Sequence, residues 1–469
     1  MKTYQKNQRK VFLCLLALLA IGLTLFFIPC CPRGLIDVGT SLPVSDIELI
    51  YPVWTEIAAP FFDFPFYFLT LTSPKIQLLS WFLWLSILWI IFAAIYLKGP
   101  LAKKIYLFFR GMLVTVTLFA LFVIYCIFSP FPQYRIKTKN PNEIFLDLHS
   151  HTIYSHDGLI TPDRSLKWHL DCGFKAWALT EHNWIGAAAG VQKDMIKRSS
   201  LDAVVITAEE INFHGIHLNL LGLTQNFDTD RYQNLKELIE AVHLQKGVVI
   251  VPHYWAETKS PFSMGDLYEA GVDGFEILGD ASVPLTKNMQ KEIISFCRQQ
   301  GLVMLSGTNW HGWRNFCTGW TGFNVDNWKL SDYDARERLI IDALSKRETQ
   351  KFRVIGYTGF FSFSSDGIWE PFTGLLAYFR DINRWQRLSW FLWAVVISFL
   401  LRMSKQHKKY IAVFFWMVTC LILLVKRIYV LKIWASVATV NEILPDIACG
   451  LLIMAVVTAV LAATNFISK

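Results

Sequence analysis

Long apolar runs bracket a polar middle, and this arrangement limits the possible folds more than any other feature of the 469 residues. Residues 11–29 (VFLCLLALLAIGLTLFFIP), 77–97 (QLLSWFLWLSILWIIFAAIYL), 105–129 (IYLFFRGMLVTVTLFALFVIYCIFS) and 446–467 (DIACGLLIMAVVTAVLAATNFI) can each cross a hydrocarbon core of roughly 30 Å as a helix. Two further runs, 385–401 and 410–425, fall short of the ~20 residues usually needed. They reach the headgroups if Trp385, Arg387, Lys426 and Arg427 snorkel. The expectation is six spans, three on each side of the middle. Four is the alternative, with 385–425 lying as a hairpin on the membrane surface. Residues 11–29 have a signal-like basic front, but the run is long and Pro-Cys-Cys-Pro follows it, so an uncleaved span is expected.

The net charge of +8 could suggest nucleic acid. Much of the basic excess sits beside the spans, however, in KTYQKNQRK, KGPLAKK and RMSKQHKK. That is the orientation signal of a membrane protein, and no nucleic-acid binding is expected from it. Threading six spans from a cytoplasmic N-terminus puts all three basic segments inside and the polar middle outside. Arg135, Lys137, Lys139, Arg380, Arg384 and Arg387 flank the middle on that outer face and argue the other way. The expected layout is membrane helices in 1–137, a soluble domain in 138–380 and membrane helices in 381–469. The multi-pass protein would sit in a bacterial cytoplasmic membrane with its middle domain extracytoplasmic. The aromatic, Pro-interrupted stretch 45–71 is expected to lie against the bilayer. The nine cysteines contain no CxxC pair; a disulfide among Cys172, Cys297 and Cys317 is left open.

Within the middle, short strand-like runs recur: IFLDLH (144–149), AWALT (176–180), AVVITAEE (203–210), IHLNLLGL (216–223), GVVIVPH (247–253), GFEIL (274–278) and LVMLSG (302–307). Helical patterns lie between several of them. TPDRSLKWHLDCG offers Thr161 as a cap, Pro162 in the first turn and Gly173 as a stop. NLKELIEAVHLQKG, PLTKNMQKEIISFCRQQG and 333–346 read the same way. Alternation of this kind predicts a mainly parallel α/β barrel or a doubly wound sheet.

Ten of the eleven histidines fall between 149 and 311, most of them at the C-terminal end of an expected strand. His149 and His151 follow the first strand and His182 the second. Glu209 and Glu210 end the third, His253 the fifth, and His311 follows the last. In a parallel α/β barrel those ends converge on one face. Side chains two apart on an extended strand project to the same side, so His149 and His151 can share an ion. Imidazoles with carboxylates suit zinc, manganese or iron rather than calcium. His169, His214 and His243 are expected to be ordinary core or surface residues, and His156 a loop neighbour.

DLHSHTIYSHDG, ALTEHN, ITAEEIN, VPHYW and SGTNWHG together resemble the successive motifs of the PHP (polymerase and histidinol phosphatase) superfamily, in the right order across about 144–357. The resemblance implies a distorted seven-stranded (β/α)7 barrel with two or three divalent ions at the strand ends, and phosphoester hydrolysis. Carried over by position, the metal set is His149, His151, Asp157, His182, Glu210, His253 and His311, with His217 a less secure match. Glu210 is preferred to Glu209 from its place in the pattern, and Glu181 stands where the family has Asp. Asn309 occupies the place of a ligand Asp; its carbonyl can coordinate but brings no charge.

The expected chemistry is attack by hydroxide generated between two ions about 3.5–4 Å apart, with the same ions neutralising the phosphoryl oxygens. No Ser or Cys nucleophile is required, and no G-x-S-x-G elbow occurs. Arg314 is the first candidate for holding phosphate, and Lys175 the second. The substrate would be a phosphorylated small molecule or a lipid or glycan head group, with membrane lipid as a further partner. Two other readings stand beside the phosphoesterase: a non-catalytic metal-binding or sensing domain, suggested by Asn309, and a transporter with a metal-stabilised soluble domain. Few ionisable residues lie in the spans, which counts against transport.

Overall fold

A computed structural model of the chain describes residues 34–68, 74–128, 133–185, 187–257, 260–281, 285–312, 317–358 and 367–402, with a few isolated positions besides. Among them are thirteen strands: β1 Leu35–Asp37, β2 Leu42–Pro43, β3 Ile47–Ile50, β4 Arg135–Thr138, β5 Glu143–Asp147, β6 Ala176–His182, β7 Val204–Phe213, β8 Ile216–Leu221, β9 Val248–Val251, β10 Gly274–Gly279, β11 Val303–Gly307, β12 Gly319–Asn324 and β13 Phe352–Tyr357. All seven strands expected from the sequence are present, as β5 to β11. Their apolar runs are buried on both faces: every residue of β5 and of β9 is buried. Such runs belong to sheets covered by helices.

The sheet is mixed rather than mainly parallel. Its order is β11-β10-β9-β8-β7-β6-β5-β12-β13-β1-β2, with β3 and β4 forming a separate ribbon. β5, β6 and β7 run parallel, as do β9, β10 and β11. Between them β8 is antiparallel to both neighbours. The local cause is the two-residue turn His214–Gly215, where both residues have positive φ (50° and 87°). Two left-handed residues in succession are the geometry of a tight hairpin turn, so β7 must fold straight back into β8.

No strand ladder joins β11 to β5; the sheet continues from β5 into β12 instead. Beyond the ends of β5 and β11 the chain nevertheless makes an isolated parallel bridge between Ser150 and Trp310. The Asn309 N–H donates to the His149 carbonyl (2.8 Å) and the His151 N–H to the Trp310 carbonyl (2.9 Å). The two segments that carry His149, His151, Asn309 and His311 are therefore laced together at one end of the sheet.

Helices cover the faces where the sequence signals place them. Pro162–Cys172 ends at Gly173 with φ of 95°, Leu235–Leu244 is capped by the Asn234 side chain, and Lys287–Gln300 by that of Thr286. Their apolar sides fill the core, with Leu238, Ile239, Val242, Ile293 and Cys297 fully or nearly fully buried. Cys172, Cys297 and Cys317 are buried free thiols, so none of them forms a disulfide.

Residues 34–50, expected to belong with the membrane segment, contribute strands to this domain. β1 pairs with β13, and β3 pairs with β4. Arg353 in β13 clamps the ribbon to the sheet, reaching Asp46 (2.7 Å) and both oxygens of Glu143 (2.5 and 2.7 Å). Among the described residues two helices are long and apolar enough to cross a membrane, over Gln77–Tyr96 and Leu101–Cys126, matching two of the expected spans. Large apolar side chains along them, including Leu79, Leu88, Phe109 and Leu113, are exposed. The 385–401 run forms the helix Arg384–Arg402 but is not a span by those measures; Ser389 and Trp393 bond to the Ile57 carbonyl instead. The expected spans 410–425 and 446–467, and most of 11–29, lie outside the described residues.

Candidate metal centre

Glu210, on β7, is the hub of the histidine cluster. It is buried, and five imidazoles face its two oxygens. Nε2 of His149 and Nε2 of His151 each stand 3.2 Å from Oε2, with Nδ1 of His182 at 3.4 Å. Nε2 of His253 is 3.2 Å from Oε1, and Nδ1 of His217 is 3.6 Å from it. Strand register explains this convergence. His182 pairs directly with Glu210 across β6 and β7, while His149, His151 and His253 lie just past the ends of β5 and β9. Glu209 points to the other side of β7, where it accepts the Phe227 N–H and is pushed up to about 7 by burial. Period-two alternation thus selects Glu210.

Hydrogen bonds on the far side of each ring decide which nitrogen presents a lone pair. Nδ1 of His149 bonds to Glu276 Oε1 (2.9 Å), so in the neutral ring it carries the hydrogen and Nε2, 3.2 Å from Glu210 Oε2, holds the lone pair. Nδ1 of His311 donates to the Asn309 carbonyl (2.8 Å). Nδ1 of His151 meets Ser155 Oγ (3.0 Å), whose own hydrogen is committed to Glu181 (2.6 Å). In all three rings Nε2 is the atom turned toward the cluster, and in His151 and His311 it is buried without a hydrogen-bond partner. His217 differs. Asn212 accepts the Gly215 N–H through Oδ1, which turns its Nδ2 toward His217 Nε2 (3.0 Å) and leaves the hydrogen on Nδ1, facing Glu257 at 2.9 Å.

A second group gathers above the first. Asp157 lies between His182 Nε2 (3.5 Å) and His311 Nε2 (3.3 Å), and the His151 and His311 rings stack at 4.1 Å. Four sets of side chains have ligand atoms close enough to share an ion: His149, Glu210 and His253; His151, His182 and His311; His156, Asp157 and His182; His217, His253 and Glu257. Every histidine, aspartate and glutamate of the expected metal set appears in one of them, and exposed His156 joins as well.

Electrostatics favours cations here. Burial would push His149 down, but Glu276 and Glu210 outweigh it and hold it up at about 10. Burial likewise opposes the charged form of His253, which Glu210 and Glu257 hold up at about 9. Burial, with His311 alongside, pushes His151 well below its usual value. Burial would raise Glu210, yet the surrounding imidazoles keep it well below the normal carboxylate range. Without an ion the cluster stores protons between its nitrogens and carboxylates, where a divalent cation would compete for the same lone pairs.

Several residues around the cluster were not singled out by sequence. Glu276 and Glu257 approach His149 and His253 from behind, the latter at 3.1 Å from Nδ1. Asp147 accepts from Thr308 and His169, tying β5 to the segment after β11. Glu181 is a brace for the 152–155 turn through Thr152 and Ser155, not a member of the cluster. A carboxylate inside an apolar run, as in GFEIL, is the one signal that could have marked Glu276. His169 is a satisfied core residue, as expected, bonded to the Ser165 carbonyl and Asp147.

Asn309 has φ of 46°, a conformation Asn tolerates better than most. Its Nδ2 donates to the Asp280 carbonyl (3.0 Å), and its Oδ1 is buried without a partner. Lys175 corrects the expectation for it. It precedes β6, at the opposite end of that strand from His182, and pairs there with Asp202 (2.8 Å), too far along the strand to meet a substrate at the cluster. Arg314 lies outside the described residues.

No family model matches the chain. An uncharacterized protein of Methanocaldococcus jannaschii is 29% identical over 142 residues, which is 28% of this chain and 79% of that one. Among solved structures, the chain is similar to a two-domain protein of Bacteroides vulgatus containing a predicted PHP-like metal-dependent phosphoesterase, at 16% identity and a TM-score of 0.35, covering 45% of this chain and 64% of that one. It is also similar to a lesion-specific endonuclease of Pyrococcus furiosus, at 14% identity and a TM-score of 0.31, covering 44% and 56%. The chain spans less than two thirds of either structure. Likenesses this distant carry no activity across.

Proposed function

We propose that this protein is a metal-dependent phosphoesterase held at a membrane, with two or three divalent ions bound by His149, His151, Asp157, His182, Glu210, His253 and His311. The observation that carries this reading is the set of five imidazole nitrogens facing one buried carboxylate at 3.2–3.6 Å. A purely structural cluster would pair each lone pair with a hydrogen; here buried nitrogens of His151 and His311 have none. Zinc, manganese and iron all suit this donor set. Such ions, when bound, supply the Lewis acidity that activates water and neutralises phosphoryl oxygens. The chain's own part is to hold the donors rigid, through Ser155, Glu181, Glu276 and the laced segments after β5 and β11. Asp157, half-exposed beside His182 and His311, stands on the open side, where a substrate phosphate would enter.

The membrane part of the proposal rests on the two apolar helices and on the basic loop 98–104 between them. The expected six spans, the extracytoplasmic placement and a phosphorylated small-molecule, lipid or glycan substrate belong to the same proposal. Asn309 favours a second reading, a metal-binding sensor without turnover, because it removes one negative charge from the expected ligand set.

Elemental analysis of the purified full-length chain, with hydrolysis of a generic phosphomonoester and phosphodiester, tests both readings. Two or three ions per chain, with turnover abolished in His149→Ala, is the result expected for the enzyme. Ions without turnover of either ester select the sensor, and absence of bound ions in metal-supplemented protein overturns both.

A further inference from the structure

We infer that Glu276 is a positioning residue for the metal centre, fixing which nitrogen His149 presents and locking His149 to His253 across Glu210. Three independent observations carry this, and it rests on the metal-binding reading above. First, Glu276 Oε1 takes the Nδ1 hydrogen of His149 at 2.9 Å, while Nε2 of the same ring faces Glu210 at 3.2 Å. An imidazole has one hydrogen to give when neutral, so the carboxylate behind it directs the lone pair forward. Second, the other oxygen, Oε2, accepts the backbone N–H of His253 at 3.1 Å. His253 sits at φ of 26°, a conformation rarely adopted by a residue with a side chain, so its backbone needs such a tether. One side chain on β10 therefore aims the ring that follows β5 and holds the backbone that follows β9.

Third, the neighbouring strand makes room for it. At Gly307, the last residue of β11, an added Cβ would run into Glu276 Oε1 and into the Cβ of His149. At Gly279 an added Cβ would press on Glu276 Oε2 and on the Gly307 carbonyl. The Glu276 side chain is buried, 2% exposed, with Gly279 and Gly307 packed against its oxygens. A buried carboxylate of this kind would be costly if it did not serve both donors.

The test is metal affinity of the full-length protein in detergent, measured for Zn2+ and Co2+ by competition with a chromophoric chelator, alongside the visible spectrum of the Co2+-loaded form. Glu276→Ala should weaken binding about 10–100-fold, the range typical for loss of an outer hydrogen-bond partner of a ligand, and should alter the Co2+ spectrum. Glu276→Gln can offer its one amide oxygen to His149 or to His253 but not to both, so it should fall between wild type and Ala. A role confined to packing predicts no such rescue and an unchanged spectrum. Gly307→Ala, which leaves the carboxylate in place but crowds it, should reproduce part of the Ala effect and serves if Glu276→Ala does not fold. Wild-type affinity and spectrum in the Glu276 variants would overturn the assignment while His149→Ala still lost an ion. If His149→Ala also bound metal normally, the underlying site reading would fall with it.

Discussion

The sheet carries a cluster of charged residues at each end, and the two are built on opposite plans. At the end where β5 begins, Arg353 is closed off by Glu143 and Asp46, and Asp202 by Lys175, Arg336 and the Trp328 indole. Every acid there meets a base or a donor. At the end where β5 finishes, the four carboxylates Asp157, Glu210, Glu257 and Glu276 and six histidines are pressed together with no lysine or arginine among the described residues bonded to them, and four histidine nitrogens lack hydrogen-bond partners. Ion pairs that complete themselves hold strands in register. A cluster that completes itself only by borrowing protons is prepared for another cation.

Substitution can break that contrast from both sides. Glu210→Ala should reduce ion affinity by more than a hundredfold and abolish turnover, because it removes the one group shared by five histidines. The metal-free protein should lose stability at neutral pH, where Glu210 helps hold His149 and His253 charged, and should approach wild type only above about pH 10, where both rings are neutral in either protein. What disappears is the stabilisation by added metal, about 2.7 kcal/mol when the ion is present at a hundred times its dissociation constant. Arg353→Ala should do the reverse. It leaves buried Glu143 with the Thr138 hydroxyl but no cation and costs about 2–4 kcal/mol of stability, while ion affinity stays within twofold. Melting curves with and without chelator decide the matter; loss of metal response in the Arg353 variant would dissolve the distinction between the two ends.

The contrast also has a pH signature. His149 and His253, held up at about 10 and about 9 in the metal-free protein, lie above the ordinary histidine value of about 6.5. The stability they contribute as cations is fully present below pH 6.5 and is lost as pH rises through 9 to 10. Ions compete with those protons, so uptake should release protons and affinity should climb over the same window. The gap in melting temperature between loaded and chelated protein should therefore widen from pH 6.5 to 9.5. A gap that narrows with pH would mean that protons and ions do not share these nitrogens.

How much of this was legible beforehand differs between the ends in the same way. β5 to β11 announce themselves as short apolar runs, and the stop at Gly173 is a local signal that the backbone obeys, whereas Thr161 stands at its expected cap position without a side-chain hydrogen bond. Histidines at successive strand ends are a pattern visible in one dimension, so most of the cluster could be named. β12 and β13, GWTGFN and FRVIGY, have glycines where strand formers are expected, and their pairing is decided by Trp320, Phe323 and Ile355 meeting the core. β1 pairs with a strand more than 300 residues later, a contact no local pattern encodes. Glu276 was overlooked for a related reason: in GFEIL it is one polar letter, and its role exists only because the fold sets His149 against it. Lys175 shows the same limit, since a basic residue near a motif in sequence lies at the far end of its strand.

The smallest expected effect concerns His217, where the cluster's own rule sorts a true ligand from a neighbour. His149, His151 and His311 each give their Nδ1 hydrogen to an acceptor and turn Nε2 toward the cluster. His217 is set the other way, because Asn212 is pinned by the Gly215 N–H and donates to Nε2. Its remaining hydrogen faces Glu257, a carboxylate held down at about 2 by His217 and His253 against the opposing effect of burial. His217→Ala should then weaken ion binding only about two- to fivefold, the loss of one partner of Glu257 worth roughly 0.5–1 kcal/mol. Asn212→Asp would accept at both positions, reverse the ring's tautomer and open Nδ1 toward Glu210. If that variant binds ions more tightly than wild type while His217→Ala barely changes, hydrogen placement rather than proximity determines which histidines are ligands. A loss in His217→Ala as large as that in His149→Ala would instead show that the ring flips on metal binding and that Asn212 yields to it.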